Sequence, residues 1–507
     1  MIKPRATQPL LIQTQALVSR WEQAALAGLI ALALLLPFVN LPYAPRTWFD
    51  EGSHLHVPKT LVQHGVYADI SSEGFRYFGP TVGVGPTVML PIAAVFKFTG
   101  VGLLQGRLVI VAYLLLALGV FYLLARRLYG ARVALLALAL VMASRTQGFE
   151  GLMEYGRQVL GEAPGLAFLL LGVLAWIKGL DSAGARTHVG WAVVAGLGFG
   201  LALVTKNQFV LIVPPTLALL ALLDWLYYRA GSWWLRLAPV ALACACFGAW
   251  TLIQLMFLGP GTFAANLAQT RQAAGGAIFV FDLTATLRAA KYIVQVYGGL
   301  LLPALIYGLW RCRVRTPSAL AELLVMLMAV LWLAWYSISL GWPRYAFPAV
   351  ALGALATARM AADLFSWLHA QPRLRLVAGP FAVYTALAII FPLSLTAQVI
   401  FSPDDSPQRF AAYLNANVAQ EALVETWEPE LGVLTDHRYH YPPIELLDLA
   451  VRQTWLGSAA PAYDALAQNP DYVVIGPFGD YTQIYTPDNR YQLQSEIGPY
   501  RLYRIVD

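Results

Sequence analysis

The sequence predicts a polytopic α-helical membrane protein of about eleven transmembrane helices followed by a small C-terminal α/β domain outside the cytoplasm. Three observations carry this. Of the 507 residues 58% are apolar and only 12% charged, whereas a soluble domain carries about 25% charged residues. The mean hydropathy is +0.59, and the apolar residues fall in long uninterrupted runs, so much of the chain meets lipid. The charge is also segregated. The net charge of +6 combines a strongly basic stretch, 1–401, with an acidic tail, 402–507, that has no Lys. The cations of the first part sit between apolar runs, which is the pattern of membrane topology rather than of nucleic-acid binding.

Apolar runs occur at 22–41, 104–124, 133–144, 163–177, 189–205, 209–227, 237–258, 292–310, 320–340, 345–365 and 376–401. Each approaches the length of a bilayer core. The first is followed by Asn40-Leu-Pro-Tyr rather than a cleavage site, so it reads as a retained helix. A further run, 82–96, is short and holds Gly83, Gly85, Pro86 and Pro91. It reads as an interfacial or re-entrant segment. With the N-terminus inside, the short inner loops then carry Lys3, Arg5 and Arg20; Arg126, Arg127 and Arg132; Lys178 and Arg186; Arg229 and Arg236; Arg311, Arg313 and Arg315; and Arg373 and Arg375. Every loop that should be basic is basic, and the tail lies outside a multi-pass plasma-membrane protein.

The outer loops hold the polar residues. The first, 42–105, is long; others span 146–162 and 259–291, the last interrupted at Gly259-Pro-Gly261 and Gly275-Gly276. The tail mixes a helical pattern at 408–418 with strand-like runs at 422–426, 472–475 and 501–505. Cys244, Cys246 and Cys312 form no disulfide or metal framework.

The candidate chemistry sits in these outer segments. Asp50 and Glu51 follow Trp48 and Phe49, aromatics that keep the stretch at the interface. A carboxylate there can take a proton from a hydroxyl or hold a metal ion. Glu162 lies at the mouth of an apolar helix just before Pro164, where it also complements the helix dipole. Lys206 and Arg344 fall at outer helix ends, against the inside bias of positive charge, and Arg157 is a loop cation. His54 and His56 alone are no metal site.

These motifs, in this order, resemble the GT-C superfamily of membrane glycosyltransferases, especially the branch of protein O-mannosyltransferases and bacterial aminoarabinose transferase. The resemblance rests on Asp50-Glu51 in a long first outer loop, Gly79-Pro-Thr-Val-Gly-Val-Gly-Pro86, Arg107-Leu, Arg126-Arg-Leu-Tyr-Gly130, Leu203-Val-Thr-Lys206 and Arg344-Tyr345. It covers roughly 20–365. Where the family often carries Lys/Arg-Pro-Pro-Leu, this chain has Val84-Gly-Pro-Thr-Val-Met89, and the family's second acid, commonly Asp, is matched to Glu162. The resemblance implies a polyprenyl-phosphate-linked sugar as donor, drawn from membrane lipid, and an acceptor hydroxyl or similar group at the outer face. It makes Asp50 the base of an inverting transfer, with Glu51 and Glu162 as supporting acids. Lys206, Arg344 and Arg157 would meet the donor phosphate. Some relatives bind a divalent metal ion, for which Asp50 and Glu162 would be the ligands here. A multi-pass transporter or lipid flippase, with charges at mid-depth, and an envelope assembly protein are the competing readings.

Overall fold

Apolar runs buried in lipid must satisfy every backbone N–H and C=O internally, so they fold as helices. The computed structural model describes residues 20–77, 83–459 and 461–506; Lys3, Arg5 and the Gly79 to Val82 part of the glycine-rich motif lie outside them. The membrane part comprises α1 (Arg20–Leu35), α2 (Phe49–His64), a hairpin of β1 (Asp69–Ser71) and β2 (Gly74–Arg76), α3 (Pro86–Thr99), α4 (Leu103–Tyr129), α5 (Ala131–Met142), the single turn α6 (Leu152–Tyr155), α7 (Glu162–Leu180), α8 (Ala185–Thr205) and α9 (Gln208–Leu223). It continues with α10 (Trp233–Ala277), α11 (Leu283–Ile293), α12 (Leu301–Arg311), α13 (Pro317–Ser337), α14 (Phe347–Ala370) and α15 (Arg375–Phe401).

Among the described residues, eight helical stretches are long and apolar enough to cross a bilayer: α4, α7, α8, α9, α10, α13, α14 and α15. The other three expected spans are shorter. Helices α1 and α5 fall below bilayer length, and the run at 292–310 is broken by a 3-10 turn, Val296–Gly299, in which Tyr297 and Gly298 have left-handed backbones. The expected re-entrant segment is the apolar helix α3, packed through Val88, Met89, Ile92 and Phe96. The expected loop at 259–291 is mostly helix, because α10 continues to Ala277 across a kink at Gly259 (φ 75°). Only 11% of the apolar window is buried in each of α10 and α15, so few of their side chains are covered by the rest of the bundle.

The bundle has two polar ends. At one, Arg236 pairs with Asp224 at 2.7 Å, Arg311 with Glu322 at 3.3 Å and Arg359 with Asp363 at 2.8 Å, and Arg127 pairs with Asp181. This end gathers loops that the sequence marks as basic. The candidate acids and the tail occupy the other end.

The tail folds as α16 (Ser406–Asn417), β3 (Leu423–Thr426), α17 (Pro429–Leu434), β4 (Arg438–His440), α18 (Glu445–Leu456), β5 (Tyr472–Ile475), α19 (Pro477–Thr482), β6 (Tyr491–Ile497) and β7 (Tyr500–Ile505). Its sheet has the order β4-β3-β5-β7-β6. β3 is parallel to β4 and β5, and β7 is antiparallel to β5 and β6. The domain docks on α2. Phe49 stacks on Phe478 at 3.8 Å and meets Trp427 edge-on. Lys59 Nζ donates to the Gly432 and Thr435 carbonyls and pairs with Asp436, each at 2.7 Å. Gly52 permits the contact: a Cβ there would lie 2.2 Å from the Glu430 amide nitrogen.

Beside that contact lies a buried acid pair. Glu428 accepts the Phe478 and Gly479 N–H groups at 2.9 and 2.8 Å, and Glu430 accepts the Tyr500 hydroxyl at 2.8 Å. Burial raises both pKa values, and Glu430 raises that of Glu428 further. For Glu430 the rise is from the ordinary 4.5 to about 7. Between those values the folded chain holds a proton that the unfolded chain has released, so stability falls as pH rises. Glu430→Gln keeps the acceptor for Tyr500 and removes the titration. The stability of the detergent-solubilised protein, read from unfolding followed by tryptophan fluorescence, should therefore fall off less steeply between pH 4.5 and 7 in the variant. Parallel pH profiles for variant and wild type would refute this.

Candidate active site

The first turn of α2 separates two adjacent acids by about 100° of helix rotation. Both are favoured there by the helix dipole, but they face different surroundings. Glu51 points inward and is fully buried, as is its partner Arg107 on α4. Arg107 Nε lies 2.8 Å from Glu51 Oε1 and Nη2 lies 2.6 Å from Oε2. Glu51 also accepts the Val159 N–H at 2.9 Å. The remaining Arg107 donors hold the Leu41 and Pro45 carbonyls at 2.7 and 2.8 Å. Asp50 keeps 19% of its side-chain surface exposed and pairs with Arg344 Nη1. Burial acts to raise the Asp50 pKa, but Arg344, His54 and Lys206 outweigh it and hold the carboxyl below its usual range. His54 follows one turn along the helix, with Nδ1 2.8 Å from the Val159 carbonyl oxygen. Burial lowers its pKa, so the ring is neutral near pH 7.

Three helix ends bring the other residues to Asp50. Glu162 is the first residue of α7 and is 2% exposed. Lys206 follows α8 directly and pairs with Glu162 Oε1. Its backbone forms a β-bridge to Val84, and Gly85 donates its N–H to the Thr205 carbonyl at 2.9 Å. Arg344 lies in the 3-10 turn Pro343–Ala346 that precedes α14. Gly341 makes that turn: its φ is 74°, and a Cβ would meet the Ala285 carbonyl oxygen at 2.6 Å. Arg344 Nε is 3.4 Å from Glu162 Oε1, so one guanidinium lies between Asp50 and Glu162. Its carbon sits 4.1 Å above the Trp342 ring and 5.7 Å above that of Trp48. Glu162 Oε2 is buried and has no hydrogen-bond partner among the described residues.

The structure thus gathers Asp50, Glu162, Lys206 and Arg344 into one cluster and places Glu51 directly behind it. Arg157 is set apart. It is fully buried, and its guanidinium donates to the carbonyls of Leu36, Val39 and Ala44. Its donors are spent on the chain between α1 and α2 rather than facing the cluster. The two residues named as metal ligands do not fit that role. Both carboxylates already face Arg344, and no group of three His, Cys, Asp or Glu among the described residues could hold an ion. A divalent cation would have to sit against two fixed positive charges.

Sequence reasoning missed several neighbours. Glu150 accepts a hydrogen bond from Gln158 Nε2 at 3.2 Å, and Gln158 Oε1 in turn accepts from Trp48 Nε1 at 2.8 Å. Burial, with Glu154 beside it, raises the Glu150 pKa to about 7. Nothing in the Gly148-Phe-Glu150 stretch announces this. Arg107 was visible only as part of a motif, because its partner lies 56 positions away. Trp342 stood in the sequence beside Arg344 as an aromatic neighbour, but its stacking needs the tertiary fold.

Known proteins share this architecture. The sequence model of the dolichyl-phosphate-mannose-protein mannosyltransferase family matches residues 84–250. No curated protein sequence matches the chain. Among solved structures, ArnT from Cupriavidus metallidurans bound to undecaprenyl phosphate superposes with a TM-score of 0.65 at 16% identity, over 95% of this chain and 98% of that one. The oligosaccharyltransferase AglB from Archaeoglobus fulgidus, in complex with an inhibitory peptide and a dolichol-phosphate, superposes with a TM-score of 0.58 at 13% identity, over 90% of this chain and 69% of that one. The chain is therefore a multi-pass membrane protein with the fold of GT-C glycosyltransferases, in the ArnT-like form of that fold.

Proposed function

We propose that the protein transfers a sugar from a polyprenyl-phosphate-linked donor to an acceptor hydroxyl or similar group at the outer face of the membrane, with inversion and with Asp50 as base. The observation that carries this reading is the convergence of Asp50, Glu162, Lys206 and Arg344 at one end of the bundle. All four sit at helix ends or in turns, not at mid-depth where a transporter holds its charges. The lipids in the ArnT and AglB structures, undecaprenyl phosphate and dolichol-phosphate, support the donor class.

Each residue has a task in such a reaction. Asp50 takes the proton of the acceptor hydroxyl as its oxygen attacks the anomeric carbon. The bond from that carbon to the phosphate oxygen breaks on the opposite face, which inverts the centre. Negative charge then collects on the leaving lipid phosphate, and Lys206 and Arg344 stabilise it. A phosphate beside Arg344 competes with Asp50 for the guanidinium, so arrival of the donor frees the base it needs. Glu162 holds the two cations together, and Glu51, gripped by Arg107, fixes the turn that carries Asp50. The segment where the family carries Lys/Arg-Pro-Pro-Leu is the one bridged to Lys206, so Lys206 brings a cation to that place. Arg157 takes no part in phosphate binding in this scheme.

The deciding experiment is mass spectrometry of envelope glycolipids and glycoproteins from cells expressing the wild type or Asp50→Asn. A sugar-modified product should be present with the wild type and reduced about 10²–10⁴-fold with the variant, the usual contribution of a general base. Equal product from both would place the base elsewhere. Lys206→Met should weaken binding of undecaprenyl phosphate to the purified protein by roughly tenfold or more, the scale of a charge-assisted contact; unchanged affinity would return Lys206 to a purely structural role. The reading also requires the tail to lie outside. A reporter fused after Asp507 that works only in the periplasm or outside the cell should be active, and activity of a cytoplasm-only reporter there would overturn the orientation.

A further inference from the structure

A guanidinium between two carboxylates is not placed by them alone, since either acid can take it. Arg344 has Nη1 on Asp50 and Nε 3.4 Å from Glu162, and aromatic rings supply the missing constraint. Its carbon lies 4.1 Å over the Trp342 ring. The Trp342 ring meets Trp455 with centroids 5.8 Å apart and planes 35° apart. Arg288 lies 4.6 Å over the Trp455 ring. The result is a continuous series: Arg344, Trp342, Trp455, Arg288.

Trp455 belongs to α18 of the C-terminal domain, whereas Arg288 belongs to α11 of the membrane part. Arg288 also ties the two backbones together. Its Nη1 holds the Leu340 carbonyl at 3.1 Å, one residue before Gly341, and its Nη2 holds the Trp455 carbonyl at 2.6 Å. The indole N–H of Trp455 reaches the Tyr481 hydroxyl on α19. The turn bearing Arg344 is thus fixed from the soluble domain by both ring and carbonyl. A planar cation over an aromatic face loses most of its attraction if the ring tilts away.

We infer that Trp455 of the C-terminal domain is a positioning residue, which through Trp342 sets Arg344 in its place between Asp50 and Glu162. This inference rests on the proposed function only for what Arg344 then does, namely hold the donor phosphate. It gives the tail a task in the reaction at the membrane surface, although no residue of the tail is a member of the charged cluster.

The test uses the full chain in lipid nanodiscs with undecaprenyl phosphate as the probe. Trp455→Ala should weaken binding about tenfold, the scale of a desolvated cation–π contact. Trp455→Phe, which keeps an aromatic face, should restore most of it. In an Arg344→Met background, Trp455→Ala should add nothing, because the residue it positions is gone. An equal loss from Trp455→Ala in both backgrounds, or no loss where Arg344→Met shows one, would overturn the inference. Electron cryomicroscopy of Trp455→Ala gives a readout independent of the phosphate: Arg344 should shift from its place beside Asp50, and an unmoved Arg344 would refute the positioning role. If Arg344→Met binds the lipid as the wild type does, the phosphate role in the proposed function fails, and the map alone decides the role of Trp455.

Discussion

The ion pair between Glu51 and Arg107 fixes the place from which the candidate site is built. Both side chains are fully buried, where neither charge is tolerable without the other. Losing one partner of such a pair costs about 3–5 kcal/mol, because it leaves an uncompensated buried charge. Here the pair is completed by other groups: the carboxylate takes the Val159 N–H, and the guanidinium takes the Leu41 and Pro45 carbonyls. Three segments distant in sequence, 41–51, Arg107 and Val159, therefore meet at one point. The rotation of α2 is set there, and with it the direction in which Asp50 faces.

A second buried arginine acts alongside it. Arg157 collects carbonyls from residues 36–44, the irregular stretch between α1 and α2. Irregular backbone near a membrane has carbonyls that no helix satisfies, and a guanidinium with five donors is suited to satisfy several at once. The two arginines together make the 36–45 segment a rigid link rather than a free loop. Rigidity matters because a base and a leaving-group cation must hold their relative positions through the reaction.

The soluble domain is part of the same construction. Phe49, the residue before Asp50, is stacked on Phe478, and Gly52, two residues beyond it, touches Glu430. Trp455 approaches from another side, towards Arg344. The segments that carry Asp50 and Arg344 are thus each in contact with the tail, which sits at the end of the bundle that holds the site.

The sequence by itself determined the membrane character, the order of the apolar helices, the α/β nature of the tail and four members of the cluster. Composition and run length report lipid burial directly, and Lys206 and Arg344 stood out as cations at helix ends where cations are disfavoured. The strands at 423–426, 472–475 and 500–505 were legible because at least half of each is β-branched or aromatic. The tertiary structure alone decided the remainder. Single-sequence periodicity does not reveal that 296–299 interrupts one apolar run or that α10 continues past Gly259, since both outcomes depend on what packs alongside. Nor does it separate Asp50 from Glu51. The two are neighbours of like charge, and only the arrival of Arg107 on one side of α2 and Arg344 on the other makes one a buried anchor and the other a partly exposed carboxylate. Arg157, a loop cation, and Lys206, a cation at a helix end, were both candidates for the donor phosphate, and their surroundings, backbone carbonyls for one and a carboxylate for the other, set them apart, because a cation's role follows from which acceptors the fold brings to it.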